Sequence, residues 1–195
     1  MSAFPRRASF LTVASLAAAL LGACGSSSGT NIGASATGTI GGHAFTAASA
    51  EGFAGGTAAA NTGPVAGVVI SSGTRAACSG GAAEDPYGLQ GTTSLLIEAI
   101  KGGNAITTGT YTVGATDPVP KVFASTVIND SSCNDTGVES ATSGTMTITA
   151  LTATRLTGSY NLVFGSDTIS GTFDIALCNL PTDQGDAGHS SPVCH

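Results

Sequence analysis

The sequence predicts an all-β protein: an antiparallel β-sandwich or small β-barrel of about eight strands with a C-terminal three-stranded meander. Three observations carry this expectation. Near the C-terminus, apolar residues recur at every second position over three successive runs, which is the period of half-buried strands. The composition suits strands better than helices or disorder. Only 9% of residues are charged, glycine numbers 28 and tryptophan is absent, while threonine and the β-branched residues are abundant. Short β-rich runs also repeat upstream, separated by clusters of Gly, Pro, Asn and Asp that make turns.

The meander is the clearest element. Met146, Ile148 and Ala150 alternate with Thr145, Thr147 and Thr149. Leu156, Tyr160, Leu162 and Phe164 share a second parity, and Ile169, Phe173, Ile175 and Leu177 a third. The short polar breaks TAT and GSD between them have hairpin length, which sets strands at 143–151, 155–165 and 168–178. Upstream, Val65–Ser71, Thr93–Lys101, Gly109–Val113 and Lys121–Ile128 read as strands. TSLLIEAIKGG could also form a helix, but its β-branched neighbours and Gly102-Gly103 favour a central strand with both faces partly buried. GTIGGHAFTAASA, residues 38–50, reads as a first strand or bent strand pair with Gly41-Gly42 at the bulge or turn.

The N-terminus carries an address. Arg6-Arg7 precede ASFLTVASLAAALL, an uncharged run of 14 residues. That is the basic and apolar pattern of an export signal, and it falls short of the roughly 20 residues of a spanning helix. Leu21-Gly22-Ala23-Cys24 follows. It resembles the lipobox of bacterial lipoprotein signal peptides. The resemblance covers residues 1–24 and implies cleavage before Cys24, a diacylglyceryl group on its sulfur and, in most Gram-negative bacteria, acylation of the new amino group. Two or three acyl chains make a lasting anchor where one does not. The alternative is an ordinary secretory signal cut near Gly22-Ala23. Residues 24–37, GSSSGTNIGASAT after the cysteine, lack apolar periodicity and read as a flexible linker. Lipoproteins retained at the inner membrane commonly carry Asp after the lipidated Cys, and Gly25 stands there. The expected location is therefore the cell envelope, at the outer membrane, with the membrane as partner through Cys24. The ending GTMTIT…GSYNLVF…GTFDIALC loosely resembles that of small β-rich bacterial lipoproteins, which supports the fold and implies no activity.

Removal of residues 1–23 leaves about 172, enough for one core; the expected body is a single β-domain over 38–180 with a tail at 181–195. The signal contains two of the six basic residues and no acidic one, so four basic groups face twelve acidic ones, a formal charge of −8. That balance opposes nucleic acid as a partner. With Cys24 assigned to lipid, Cys78, Cys133, Cys178 and Cys194 form an even set in an exported chain and predict two disulfides. Of three connectivities, Cys78–Cys178 with Cys133–Cys194 is the expected one, the latter securing a tail that has no apolar periodicity of its own.

The chemistry-bearing residues are few. No nucleophile elbow, H-E-x-x-H, phosphate-binding loop or dinucleotide fingerprint occurs, so the expectation is a non-enzyme without a cofactor. His43, between Gly42 and Ala44, reads as a strand-edge residue rather than a base. Asn129, Asp130, Asn134 and Asp135 place hard oxygens in one loop, a weak calcium candidate that lacks EF-hand spacing and reads first as a turn. Glu84 and Asp85 sit on a Pro-containing turn, where adjacent acids diverge. A zinc site from Cys178, His189, Cys194 and His195 lacks paired ligand spacings, and no metal is expected. The functional expectation is surface display or non-covalent binding at the envelope, with a barrel-type carrier of a small apolar ligand as the first alternative and an enzyme as the second.

Overall fold

The computed structural model describes residues 33–58, 61–74, 90–101, 104–114 and 121–179. These form eleven strands: β1 (Thr37–Ile40), β2 (His43–Ala44), β3 (Ser49–Ala58), β4 (Asn61–Ser71), β5 (Thr93–Ile100), β6 (Gly109–Val113), β7 (Lys121–Asn129), β8 (Asp135–Ser140), β9 (Ser143–Leu151), β10 (Arg155–Phe164) and β11 (Asp167–Asn179). Eight of them close a ring in the order β10-β9-β6-β7-β5-β4-β3-β11, and β11 returns to β10. The fold is therefore a closed, mixed β-barrel, with β1, β2 and β8 added outside the ring.

The expected antiparallel sheet needs one correction. β6 runs parallel to β7 and β3 runs parallel to β11, while the other six junctions are antiparallel. Direction must return to itself around a closed ring, so antiparallel junctions come in even numbers, and two parallel seams satisfy that condition. Both seams are short. Thr112–Val113 meets Lys121–Val122 at one, and Leu177–Asn179 meets Gly52–Ala54 at the other. The barrel consequently consists of two antiparallel halves. The first contains β6, β9, β10, β11 and β1, and the second contains β3, β4, β5, β7 and β8.

The meander takes the predicted register. Leu156, Tyr160, Leu162 and Phe164 of β10 and Ile169, Phe173 and Ile175 of β11 all point into the ring and are buried. β9 differs in one place. A bulge opposite Thr157 and Gly158 leaves Ala150 exposed and turns Leu151 onto the core, so the predicted inward alternation holds for Met146 and Ile148 only. The second half contributes Ala66, Val68 and Ile70 from β4, Leu95, Ile97 and Ala99 from β5, and Val122 and Ala124 from β7. Ile40 and Phe45, on either side of the β1–β2 hairpin, join the same core, as does Ile106 from the stretch between β5 and β6. β5 is buried on both faces, as its near-continuous apolar run predicts.

Two glycines make this packing possible. A Cβ on Gly158 would lie 2.6 Å from Cζ of Phe173, so the phenyl ring occupies space that only glycine leaves. A Cβ on Gly171 would collide with the Ser35 carbonyl and with the Tyr160 hydroxyl, which donates to that carbonyl at 2.9 Å. The β1–β2 turn needs glycine for a different reason: Gly41 and Gly42 have φ of 60° and 75°, the left-handed conformation of a tight hairpin. Asp167 pins that turn, accepting from Thr39 Oγ1 at 2.6 Å and from the Gly42 N–H at 2.8 Å.

The paired body begins earlier than the sequence suggests. Ala34 bridges Phe173, and the Ser35 N–H donates to the Thr172 carbonyl, inside the stretch 24–37 expected to be a linker. Burial of the Phe173 ring, 1% exposed, makes Phe173→Ala cost about 3–5 kcal/mol. Thr147→Ala, on the outward parity, should cost less than about 1 kcal/mol. Denaturant unfolding of the two variants checks the assignment, and equal shifts would contradict it.

Candidate functional site

The barrel interior is filled. Met146, Ile148, Leu156, Leu162, Phe164, Ile169 and Phe173 meet Val68, Ile70, Leu95 and Ile97 across it, and none is more than 1% exposed. Eight-stranded barrels have room either for packed side chains or for one small ligand, and here the side chains take the space. Any contact surface must be sought outside.

The two outer faces differ sharply. On the second half, outward-facing Ser49, Ser71, Ser94, Ser125, Val69 and Val127 are all buried. Phe53, Val65, Val69 and Ile100 form a separate apolar cluster there, with Leu96 against it. The Ser94 and Ser71 hydroxyls lie 3.3 Å apart, and Ser49 Oγ donates to the Gly73 carbonyl at 2.5 Å. Toward one end of this face lie Glu98, whose carboxyl is pushed above its ordinary range by burial, and its cross-strand neighbour Phe123, which is 46% exposed.

The outer face of the first half is open and lined with hydroxyls. One cross-strand row contains Thr110, Thr147, Ser159, Thr172 and Ser35. The next contains Thr112, Thr145, Asn161, Ser170 and Thr37. All ten are exposed or half-buried. Hydroxyls within the first row touch one another: Thr110 and Thr147 at 3.1 Å, Ser35 and Thr172 at 3.0 Å. Sequence reading identified Thr145 and Thr147 as solvent-side residues but missed the array, because its five strands are assembled from distant parts of the chain. At one margin a shallow depression of about 470 Å³ contains the Arg155–Asp174 ion pair, 2.5 Å between Nε and Oδ1. Both partners are more than half exposed, a setting in which ion pairs add little stability.

Cys24, Cys78, Cys194, Glu84, Asp85, His189 and His195 lie outside the described residues. Cys133 and Cys178 are both disulfide-bonded, so Cys178 has no thiolate to offer zinc. Cys133 adopts φ of 60° in the turn after β7, and Cys178 Sγ lies 3.9 Å from Oε2 of buried Glu51. His43 is exposed on β2, paired with Ile40. Of the calcium candidates, Asp130 is engaged by its own turn. Its Oδ1 accepts from the Ser132 and Asn134 N–H groups at 2.7 and 2.9 Å, and its Oδ2 accepts from the Asn134 amide at 3.2 Å. Asp135 accepts from the Gly137 N–H at 3.1 Å, and Asn129 is buried at the end of β7. Among the described residues, no three of His, Cys, Asp and Glu come together as a metal site requires.

No protein-family model, curated protein or solved structure matches the chain. What can be assigned chemically therefore comes from the molecule itself: a packed interior, one withdrawn outer face and one open hydroxyl face.

Three carboxylates are held below their ordinary range by donors. Asn134 and Ser132 N–H groups act on Asp130, Thr39 and Gly42 on Asp167, and Arg155 followed by Thr157 on Asp174, which falls to about 2. A depressed folded pKa adds stability above the unfolded value of about 3.9, and the gain disappears as pH falls through the folded value. Thermal midpoints should therefore drop between about pH 4 and pH 2, and Asp174→Asn should flatten part of that drop while leaving Asp167→Asn to flatten another. A midpoint independent of pH over this range would contradict the hydrogen-bonded geometry.

Proposed function

We propose that the protein is an exported, lipid-anchored envelope domain that acts by non-covalent contact through its outer surface, without catalysis. The observation that carries this reading is the contrast between a filled interior and an open, hydroxyl-lined face on the first half. The lipobox-like Leu21-Gly22-Ala23-Cys24 supports attachment to the membrane, with the outer membrane favoured by Gly25. A carrier of an apolar ligand is the less supported reading, since Met146, Leu162 and Phe164 occupy the space such a ligand would need. The enzyme reading has still less support: His43 stands exposed on a hairpin, and Asp130, Asp167 and Asp174 are each engaged by local donors.

The anchor and the staples are tested together on protein extracted from membranes of a lipoprotein-processing host. Intact mass should show loss of residues 1–23 and added acyl mass on Cys24, and Cys24→Ala should yield an unacylated chain. Peptide mapping without reduction should recover Cys78 joined to Cys178 and Cys133 joined to Cys194. An unmodified Cys24 would overturn the anchor. Other pairings would overturn the expected connectivity.

A further inference from the structure

We propose that the open face of the first half binds the surface of ice. This deepens the proposed outward-facing role and rests on it only in taking the open face as the contact surface.

The open face is repetitive. Two adjacent rows cross five strands, and nine of their ten positions are Ser or Thr, Asn161 being the tenth. Neighbouring strands lie about 4.8 Å apart and alternate residues on one strand about 6.7 Å apart, so the ten side chains rise from a two-dimensional grid, with two hydroxyl pairs of the first row drawn together to 3.1 and 3.0 Å. A discrete molecule is recognised by polar groups that converge on it in a concave site. Here the groups stand side by side on one outward sheet face, with only the Ser35–Thr172 end of the first row bordering the shallow depression, and repeat in two directions, which favours a ligand that also repeats in two directions.

Chemistry narrows the class. No charged residue occurs in either row; Arg155 and Asp174 lie at the margin and pair with each other. A mineral or another charged lattice would need complementary charge, which the rows do not supply. Crystalline polysaccharide is usually gripped through its apolar ring faces by aromatic side chains, and neither row contains one. Water ordered in ice needs only hydrogen-bonding partners at regular intervals, with small apolar groups between them. Each threonine supplies both, a hydroxyl that donates or accepts and a methyl beside it. The rows are also held by antiparallel pairing from β6 to β11, clear of the β9 bulge, with β1 beside β11. Ordering them on a crystal thus adds little entropy cost. The ring strands of the second half have nothing comparable, because Ser49, Ser71, Ser94 and Ser125 are already buried.

The test uses the whole exported protein, on phosphatidylcholine vesicles if acylated and free in solution if not. Single ice crystals grown with it should become faceted, and recrystallisation of a frozen suspension should slow relative to vesicles or buffer alone. Thr147→Tyr and Ser159→Tyr, at the middle of the first row, should each reduce both effects several-fold while the thermal midpoint stays near that of the parent. Val138→Tyr, an exposed position on β8 of the other half, should leave both intact. No effect of the folded parent on ice would overturn the inference, as would equal loss in Val138→Tyr, or retention on crystalline cellulose in place of ice. Acylated Cys24 without ice activity would overturn this inference and leave the anchored reading standing. Ice activity in an unacylated protein would do the reverse.

Discussion

Leu177–Asn179 of β11 pairs in parallel with Gly52–Ala54 of β3, and this short seam joins the last strand of the body to the first long one. β11 reaches it because it is the longest strand, 13 residues. On one edge it pairs with β10 over ten positions; on the other it serves β1 first and β3 beyond. Its inward residues Ile169, Phe173 and Ile175 therefore cross the whole interior. Without this strand the two halves would present their apolar faces to water. Burial of each large side chain, at about 1.5–3 kcal/mol, stabilises the ring only when both halves supply partners.

Closure decides where function can reside. A ring filled by Met146, Leu162, Phe164 and Phe173 has exchanged ligand volume for stability. The glycines fit the same scheme: Gly158 lets Phe173 lie flat on β10, and Gly52 leaves room for Ile175, whose Cδ1 would be 2.7 Å from an added Cβ. The outer faces then divide. Ser49, Ser71 and Ser94 on the second half are buried, Ser71 and Ser94 touching each other and Ser49 donating to backbone, whereas the serines and threonines of the first half meet solvent in ordered rows. The same residue type thus serves structure on one side and is available for contact on the other.

Much of the fold was legible because its strongest strands follow a local rule. β10 and β11 alternate cleanly and β9 does so up to its bulge, and their observed limits lie within a residue or so of those read from the sequence. β3 was not legible beyond Ala50, because its inward positions are small: Ala50 and Ala54 pack on the core and Gly52 lies under Ile175, while Glu51 and Phe53 point outward, so no apolar alternation marks the inward face. β8 was read as part of a turn since Val138 is its one large apolar residue, yet its backbone pairs with β7. The parallel seams leave no local trace, as pairing direction is a property of the ring rather than of any segment. The hydroxyl face was half visible in Thr145 and Thr147, but its rows require the register between β6, β9, β10, β11 and β1, which only the assembled sheet supplies.

The interior is a closed core rather than a binding cavity. Met146, fully buried at its centre on β9, carries a methyl group whose resonance can be assigned by Met146→Leu. Titration of the folded protein with a medium-chain fatty acid should leave that resonance unmoved at ligand concentrations well above those of the protein. A saturable shift of the Met146 methyl with one-to-one stoichiometry would contradict the account and make the barrel a carrier.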